Sequence, residues 1–292
     1  MNDFILATVS TSDLPRKWLD EHNIPFLPYT FVIDETIYED DCREETRQRV
    51  FEAMRAGKIP STSQIPEFTY EEFFRSLLDS GKDVLFLDMA RAISSSINNC
   101  EEAIRRVAKD YPEQRLVFLD SFCITGGLAI LIEKMTALKE SGASLDEVYA
   151  FGEDLKDKII HRFMCDDLQW LRRGGRLSNA SAIVGTLLSI KPLIYVRHDG
   201  TLFALEKVRG RKKALHRLVD SMQEEMDPDH LPEEMWIWHA DCAEDAQDMA
   251  AYMKEKYPTV KEVHIHTEGP VIGTHVGPGF FAVLFIGKGR IM

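Results

Sequence analysis

Hydroxyl groups and one imidazole are the side chains whose grouping along this chain best suits the binding of an anion. The hydroxyls are concentrated in residues 61–64 (STSQ) and 93–96 (ISSS), and a histidine lies among glycines in residues 273–279 (GTHVGPG). Glycine lets a backbone approach a ligand closely, and a hydrogen bond to a charged group contributes roughly 1.5–3 kcal/mol. The candidate ligand-binding residues are Thr62, Ser63, Ser94, Ser95 and His275.

Each of these segments also has an ordinary structural interpretation. Residues 94–96 follow an apolar run and could cap the next helix, and residues 61–63 could form a loop. A histidine between glycines and a proline could lie in a turn. Capping and anion binding are compatible, because a helix N-terminus with free amides is itself an anion site.

A segment rich in arginine and glycine lies early in the second half of the chain. Residues 168–173 followed by Gly174 and Gly175 predict a helix with a glycine C-cap, whose arginines complement the helix dipole. The alternative interpretation is a basic island on an acidic protein, which could dock a partner or meet a phosphate. Its members are Arg172, Arg173, Arg176, Arg209, Arg211, Lys212 and Lys213.

Strands that alternate with helices must position the hydroxyl segments in the first half of the chain. Helices are indicated after Ser12, by a capping box at residues 69–72 (TYEE), and over residues 98–109. This alternation predicts a parallel sheet with helices on both faces. Ligands of such sheets lie beyond the carboxyl ends of the strands, where Ser10, Ser94 and Ser121 fall. The predicted strands are residues 4–9, 24–33, 83–88 and 115–120.

The second half of the chain has a different pattern. A capping box at residues 144–147 (SLDE) begins a helix predicted to run to about residue 163, and we place the domain boundary along this helix or just after it. A turn at residues 198–200 (HDG) predicts an antiparallel hairpin. The prediction is a two-domain α/β protein, with an α/β/α layered parallel-sheet domain in residues 1–160 and a smaller two-layer mixed-sheet domain in residues 161–292.

Five segments in this order resemble the DegV family of bacterial lipid-binding proteins. They are residues 10–15 (STSDLP), 61–64, 93–96, 171–178 (LRRGGRLS, followed by IKP at 190–192) and 273–279. The resemblance implies a non-enzymatic carrier without a cofactor, which buries one long-chain fatty acid with its head at the domain interface. It also implies a separate fatty acid kinase as partner, and carboxylate contacts from Thr62, Ser94 and His275.

Two departures from the family pattern affect the expected site. The family usually has Leu-Ser-Gly-Thr where this chain has residues 93–96, so that Ser95 replaces a glycine. An aspartate usually precedes Ser10, where this chain has Val9. Neither departure changes Ser94 or His275.

Composition and motifs exclude several classes of function. A net charge of −13 argues against nucleic-acid binding and against an anionic membrane surface. The longest apolar runs are too short for a membrane helix, and the N-terminus does not have the pattern of a signal peptide. Five cysteines without a Cys-x-x-Cys pair indicate reduced thiols, so we expect a cytoplasmic protein.

Two other chemistries stay open from the residues themselves. Ser94 as nucleophile and His275 as base would make an esterase or acyl transferase, although there is no Gly-x-Ser-x-Gly elbow. A metal could use histidines 239, 264 and 266 with Asp241 and Cys242, although their spacing matches no established zinc motif and we expect no metal. Nucleotide-binding glycine motifs are absent from the sequence.

Overall fold

The computed structural model describes residues 4–176 and 190–290, and within them the chain forms three β-sheets and ten α-helices. The strands are β1 (Ile5–Val9), β2 (Phe26–Leu27), β3 (Thr30–Ile33), β4 (Thr36–Glu39), β5 (Ser61–Ser63), β6 (Val84–Asp88), β7 (Leu116–Asp120), β8 (Ile159–Met164), β9 (Ile190–Val196), β10 (Leu202–Arg209), β11 (Glu234–His239), β12 (Glu262–Thr267) and β13 (Phe281–Ile286). The helices are α1 (Arg16–Glu21), α2 (Glu44–Arg55), α3 (Glu67–Leu78), α4 (Ser96–Val107), α5 (Gly126–Glu140), α6 (Leu145–Lys156), α7 (Gln169–Arg173), α8 (Arg211–Asp220), α9 (Ala243–Lys256) and α10 (Pro270–Val276).

The first sheet is parallel, with the strand order β2-β1-β6-β7. Every residue of β6 is buried, as is typical of a parallel strand that is covered on both faces. Helices connect the successive strands, so the predicted alternation and the parallel sheet are confirmed. Ser10 and Ser121 directly follow β1 and β7, and Ser94 lies in the loop between β6 and α4.

A small antiparallel sheet with the order β4-β3-β5 was not predicted. The single strand expected over residues 24–33 was wrong, because this stretch is divided between β2 of the parallel sheet and β3 of the small sheet. Pro28 separates the two strands, and a proline has no N–H with which to continue a ladder. The small sheet matters for the site because β5 contains Thr62 and Ser63.

The third sheet has six strands in the order β10-β9-β8-β13-β11-β12. Its neighbours pair antiparallel except for β11 and β12, which are parallel, so the predicted mixed sheet is confirmed. The hairpin between β9 and β10 is also confirmed, and Gly200 has the positive φ of 80° that its turn requires.

Several predicted boundaries differ from the structure. The helix that starts after Ser144 has the predicted capping box, but it ends at Lys156, because the fully buried residues of β8 join the six-stranded sheet. The capping box predicted from Thr69 was wrong, since the N-cap of α3 is Pro66, three residues earlier. Helix α2 was not predicted. The domain division after residue 160 stays a prediction.

One hydrophobic core joins the parallel sheet to one face of the six-stranded sheet, and a second cluster lies between the other face and helices α8 and α9. The two sheets approach closely at the start of α5. A Cβ atom on Gly126 would lie 2.2 Å from the ring of Trp238, and one on Gly127 would lie 1.5 Å from Nε2 of His161. Only glycine fits at these two positions, which fix α5 against the six-stranded sheet.

Candidate ligand-binding site

His275 lies in α10 rather than in a turn. Pro270 occupies the first turn of this helix, where its missing N–H costs nothing, and Gly277 ends it with a φ of 77°. The helix packs closely on α2, because a Cβ atom on Gly273 would lie 2.7 Å from the ring of Phe51. This packing directs His275 toward β5 of the small sheet.

Thr62 and His275 form a hydrogen bond, with 2.8 Å between Oγ1 of Thr62 and Nε2 of His275. Nδ1 of His275 is buried without a hydrogen-bond partner among the described residues, and it faces Gly174. Burial, followed by the charge of Arg176, lowers the pKa of His275 to about 4, so the ring is neutral at pH 7. A proton on Nδ1 would be a buried unpaired donor. We therefore assign it to Nε2, which donates to Thr62.

This assignment leaves the hydroxyl hydrogen of Thr62 free to donate elsewhere. Thr62 is half-buried and lines a polar pocket, hereafter the head pocket. Ser63 also lines this pocket and accepts a hydrogen bond from Thr30. The residues that line the head pocket are Tyr29, Thr62, Ser63, Gln64, Met89, Ile93, Ser94, Arg176, Val271, Ile272 and His275.

Ser94 and Ser95 are neighbours in sequence but differ in their surroundings. Ser94 is buried, its Oγ accepts from the N–H of Ser96 at 3.3 Å, and it lies 3.4 Å from the hydroxyl of Tyr29. Ser95 is exposed and accepts a hydrogen bond from Gln64. Ser95 occupies the N-cap position of α4 without a side-chain capping bond, so the capping interpretation was wrong for that side chain.

Arg176 was expected in a basic island at the surface, but its side chain turns inward. It is half-buried, and its guanidinium donates to the backbone oxygens of Ile93 and Gly174. Burial lowers the pKa of Arg176, and no carboxylate pairs with it among the described residues. It therefore places an uncompensated cation at the head pocket.

The other members of the expected island do not share this position. Arg172, Arg173 and Arg209 are exposed, and Arg173 lies over the ring of Trp170. Arg211 is held by ion pairs to Asp166 and Asp245. The predicted glycine C-cap of α7 is present, with hydrogen bonds from the N–H of Gly175 and of Arg176 back into the helix. Leu177 and Ser178 of the same segment lie outside the described residues.

An apolar cavity adjoins the head pocket, with about 550 Å³ of space between its walls, part of it open to solvent. The two share Ile93, Arg176, Ile272 and His275 as a common wall. The remaining lining residues are Ile124, Thr125, His161, Phe163, Leu171, Val196, Leu202, Val276, Phe280, Ala282 and Leu284. A polar pocket therefore lies directly beside an apolar cavity, which is lined by residues of the six-stranded sheet and of the loops after β6 and β7.

Among the described residues, no hydrogen bond joins Ser94 to His275. The imidazole is engaged by Thr62, and no carboxylate orients its Nδ1. A nucleophile requires a base within hydrogen-bond reach and a third group that orients that base. The described geometry does not contain this arrangement.

The histidines considered for a metal mostly pack on tryptophans. His264 stacks on Trp236 and His266 on Trp238, and burial lowers the pKa of His266 to about 4. Possible ligand atoms of Glu234, Glu262 and His264 lie within 4.8 Å of one another, but Glu234 is ion-paired with Lys134 at 2.8 Å. His239, Asp241 and Cys242 are not part of this group.

Across the described residues, none of the helices combines the length and apolarity needed to span a bilayer. All five cysteines are unpaired.

Comparison with known proteins places this geometry in a family. The profile of the DegV family, described as uncharacterised proteins, matches residues 5–288. A DegV domain-containing protein of Clostridium perfringens is 36% identical over 289 residues, which cover 98% of each chain.

Two solved structures are similar along nearly their whole length. The structure described as fatty acid binding of a DegV family protein from Thermus thermophilus has a TM-score of 0.86 and 25% identity, covering 97% of this chain and 99% of the other. The structure of DegV from Bacillus subtilis, described as a fatty acid binding protein, has a TM-score of 0.83 and 27% identity, covering 99% and 100%. The chain therefore belongs to the DegV family.

Proposed function

We propose that this protein binds one long-chain fatty acid, with the acyl chain in the apolar cavity and the carboxylate in the head pocket. The observation that carries the proposal is the common wall of the two spaces, which gives one site a polar end and an apolar end. The relatives from Thermus thermophilus and Bacillus subtilis, whose descriptions name fatty acid binding, support it. We also propose two domains, residues 1–160 and 161–292, with the ligand between them.

The energetics of binding require both ends of the site. Each buried methylene contributes roughly 0.8 kcal/mol, so about fifteen methylenes contribute at most ~12 kcal/mol. Association costs roughly 4–15 kcal/mol. Burial of the chain alone therefore gives modest affinity, and the carboxylate contacts must supply the rest.

The head pocket offers these contacts from two hydroxyls and one guanidinium, and Arg176 has no carboxylate partner among the described residues. The hydroxyl of Thr62 is free to donate because Nε2 of His275 already donates to its oxygen. The hydroxyl of Ser94, which lies 3.4 Å from that of Tyr29, can supply a second hydrogen, and Arg176 supplies the countercharge. His275 acts in this account through Thr62, as a positioning residue.

The proposed role is that of a carrier rather than an enzyme. This is supported by the described contacts, in which His275 is hydrogen-bonded to Thr62 rather than to Ser94 and no carboxylate orients its Nδ1. We further propose that a partner fatty acid kinase acts on the bound carboxylate in the cytoplasm. The exposed residues Arg172, Arg173 and Arg209 form the proposed docking surface, and Arg176 is assigned to the ligand instead.

Binding is tested by titrating delipidated protein with palmitate and with the alcohol of the same chain length. We expect palmitate to bind at least about tenfold more tightly, because only the acid engages Arg176 and the two hydroxyls. Equal affinities would contradict the head pocket as a carboxylate site. Failure of both ligands to bind would contradict the function itself.

The docking surface is tested separately with Arg209→Glu and with Arg43→Glu, an exposed arginine elsewhere on the chain. Palmitate affinity is expected to stay unchanged in both. Phosphorylation of bound palmitate by a fatty acid kinase with ATP should fall only in Arg209→Glu, and equal rates would remove Arg209 from the docking surface.

A further inference from the structure

A buried carboxyl group lies behind Ser94, at the end of β6. Asp88 is fully buried and receives hydrogen bonds from the N–H of Met89 and the hydroxyl of Tyr70, each at 2.7 Å. The hydroxyl of Tyr29 lies 3.3 Å from its Oδ1. The same hydroxyl lies 3.4 Å from Oγ of Ser94, so two hydrogen bonds connect Asp88 to the head pocket.

The direction of this hydrogen-bond chain depends on the charge of Asp88. When Asp88 is ionised it can only accept, so Tyr29 donates to it and the oxygen of Tyr29 accepts from Ser94. When Asp88 carries a proton it can donate to Tyr29, which then donates to Ser94, whose own hydrogen is released toward the pocket. Only the second direction aligns all three donors toward an anion in the head pocket.

We propose that Asp88 is a proton-linked positioning residue for the ligand carboxylate, acting through Tyr29 and Ser94, so that binding of the acid places one proton on Asp88. The inference rests on the proposed function. The ligand enters as its anion, so the proton is taken from solvent at the head pocket and reaches Asp88 along the hydroxyls of Ser94 and Tyr29. A bound carboxylate and an ionised Asp88 would otherwise be two buried anions that repel each other.

In the free protein, Asp88 gains or loses its proton close to neutral pH. Burial raises the pKa of Asp88 to about 6, although hydrogen bonds from Tyr70, Met89 and Tyr29 partly oppose the rise. A nearby ligand anion raises this pKa further. Because the bound state holds the proton more tightly than the free state, affinity is greatest at low pH and falls as the pH rises through the pKa of the bound state.

Other charged and titratable groups face Asp88 or the head pocket from every neighbouring element. Burial raises the pKa of Tyr29, Tyr70 and Cys100, which leaves all three neutral near pH 7, and His275 is neutral because its pKa is about 4. Asp120 of β7 is ion-paired with Arg91. Arg176 carries the same positive charge in the free and in the ligand-bound protein, so it does not contribute to the change in proton binding. The groups that bear on the effect are Tyr29, Tyr70, Cys100, Asp120, Arg91, Arg176 and His275.

Calorimetry counts the proton directly. Delipidated protein is titrated with dodecanoate at pH 7 in phosphate and in Tris, whose heats of ionisation differ. We expect a net uptake of protons for each ligand bound, larger than zero in both buffers, because the ligand anion raises the pKa of Asp88 above its value in the free protein. Binding without proton uptake would overturn the inference while leaving the proposed function intact, whereas absence of binding would overturn both.

Variants of Asp88 and Tyr70 test whether the proton binds to Asp88. Asp88→Asn presents an amide that can donate to Tyr29 at any pH, so we expect it to bind dodecanoate about tenfold more tightly than the wild type at pH 8 and equally at pH 5.5. Tyr70→Phe is the matched control, because Tyr70 contacts Asp88 but not Ser94. Loss of its hydrogen bond raises the pKa of Asp88, so the pH dependence should persist but shift to higher pH. Weaker binding by Asp88→Asn at both pH values would show a merely structural role and overturn the proposal.

Discussion

Oγ1 of Thr62 lies 2.8 Å from Nε2 of His275, although 213 positions separate the two residues in the chain. The hydrogen bond joins the small antiparallel sheet, through β5, to α10 at the end of the six-stranded sheet. It also fixes the direction of donation, because a neutral imidazole with an unpaired Nδ1 keeps its proton on Nε2. The geometry of the head pocket therefore depends on elements from both ends of the chain.

Thr62→Val keeps the shape of the side chain but removes the hydroxyl. We expect affinity for palmitate to fall about 10- to 100-fold, which corresponds to one hydrogen bond to a charged group. Thr62→Ser retains the donor and should bind nearly as well as the wild type. Titration of both delipidated variants measures the difference, and affinity equal to that of the wild type in Thr62→Val would show that the hydroxyl does not contribute.

Gly174→Ala would place a methyl group 2.1 Å from Nδ1 of His275. We expect it to displace the imidazole, weaken palmitate binding and lower the free energy of unfolding by about 1–3 kcal/mol. The double variant Gly174→Ala with His275→Ala is the control, since it removes the ring that the methyl group would strike. If the double variant lost as much stability as the sum of the two single variants, the clash would not be the cause.

Arg176→Gln removes the uncompensated cation from the head pocket. Palmitate affinity should fall at least about tenfold, because a charged hydrogen bond to the carboxylate is lost. Arg172→Gln, which changes an exposed arginine of the same segment, should leave palmitate affinity unchanged. Similar affinities for the two variants would show that Arg176 does not bind the ligand carboxylate.

His275 also makes stability depend on pH. Its pKa is about 4 in the folded protein and about 6.5 in an unfolded chain, so below pH 6.5 the unfolded state binds the proton more readily. The stabilisation is complete above pH 6.5 and is lost as the pH falls toward 4, by about 2–3 kcal/mol. Urea denaturation should therefore show a smaller loss over this range for His275→Gln, and identical losses would contradict a buried neutral ring.

Local signals along the chain predicted much of the fold. The alternation of apolar runs and helices gave the parallel sheet, and residues 198–200 gave the hairpin. The errors arose where tertiary pairing decided the outcome. Pro28 divides one apolar run between two sheets. The residues of β8 were predicted to continue a helix, but they form a strand because they pair with β9 and β13, which lie far along the chain.

The site was predictable in part. Thr62, Ser63, Ser94 and His275 were chosen from the sequence, and they line one head pocket, while Ser95 lies beside it. Their roles as ligand contacts stay predictions. The sequence could not show that Arg176 turns inward or that Tyr29 connects Ser94 to Asp88, because these contacts are made across three separate elements. In the sequence, the position of Asp88 at the end of the apolar run of β6 was the local signal that could have drawn attention to it.

Native mass spectrometry of the protein as purified, followed by extraction and identification of whatever is bound, tests the central claim most directly. The account predicts one long-chain fatty acid for each chain, at reduced occupancy in His275→Ala because Thr62 loses its partner. A protein that is empty as purified, and that takes up no fatty acid after delipidation, would contradict it.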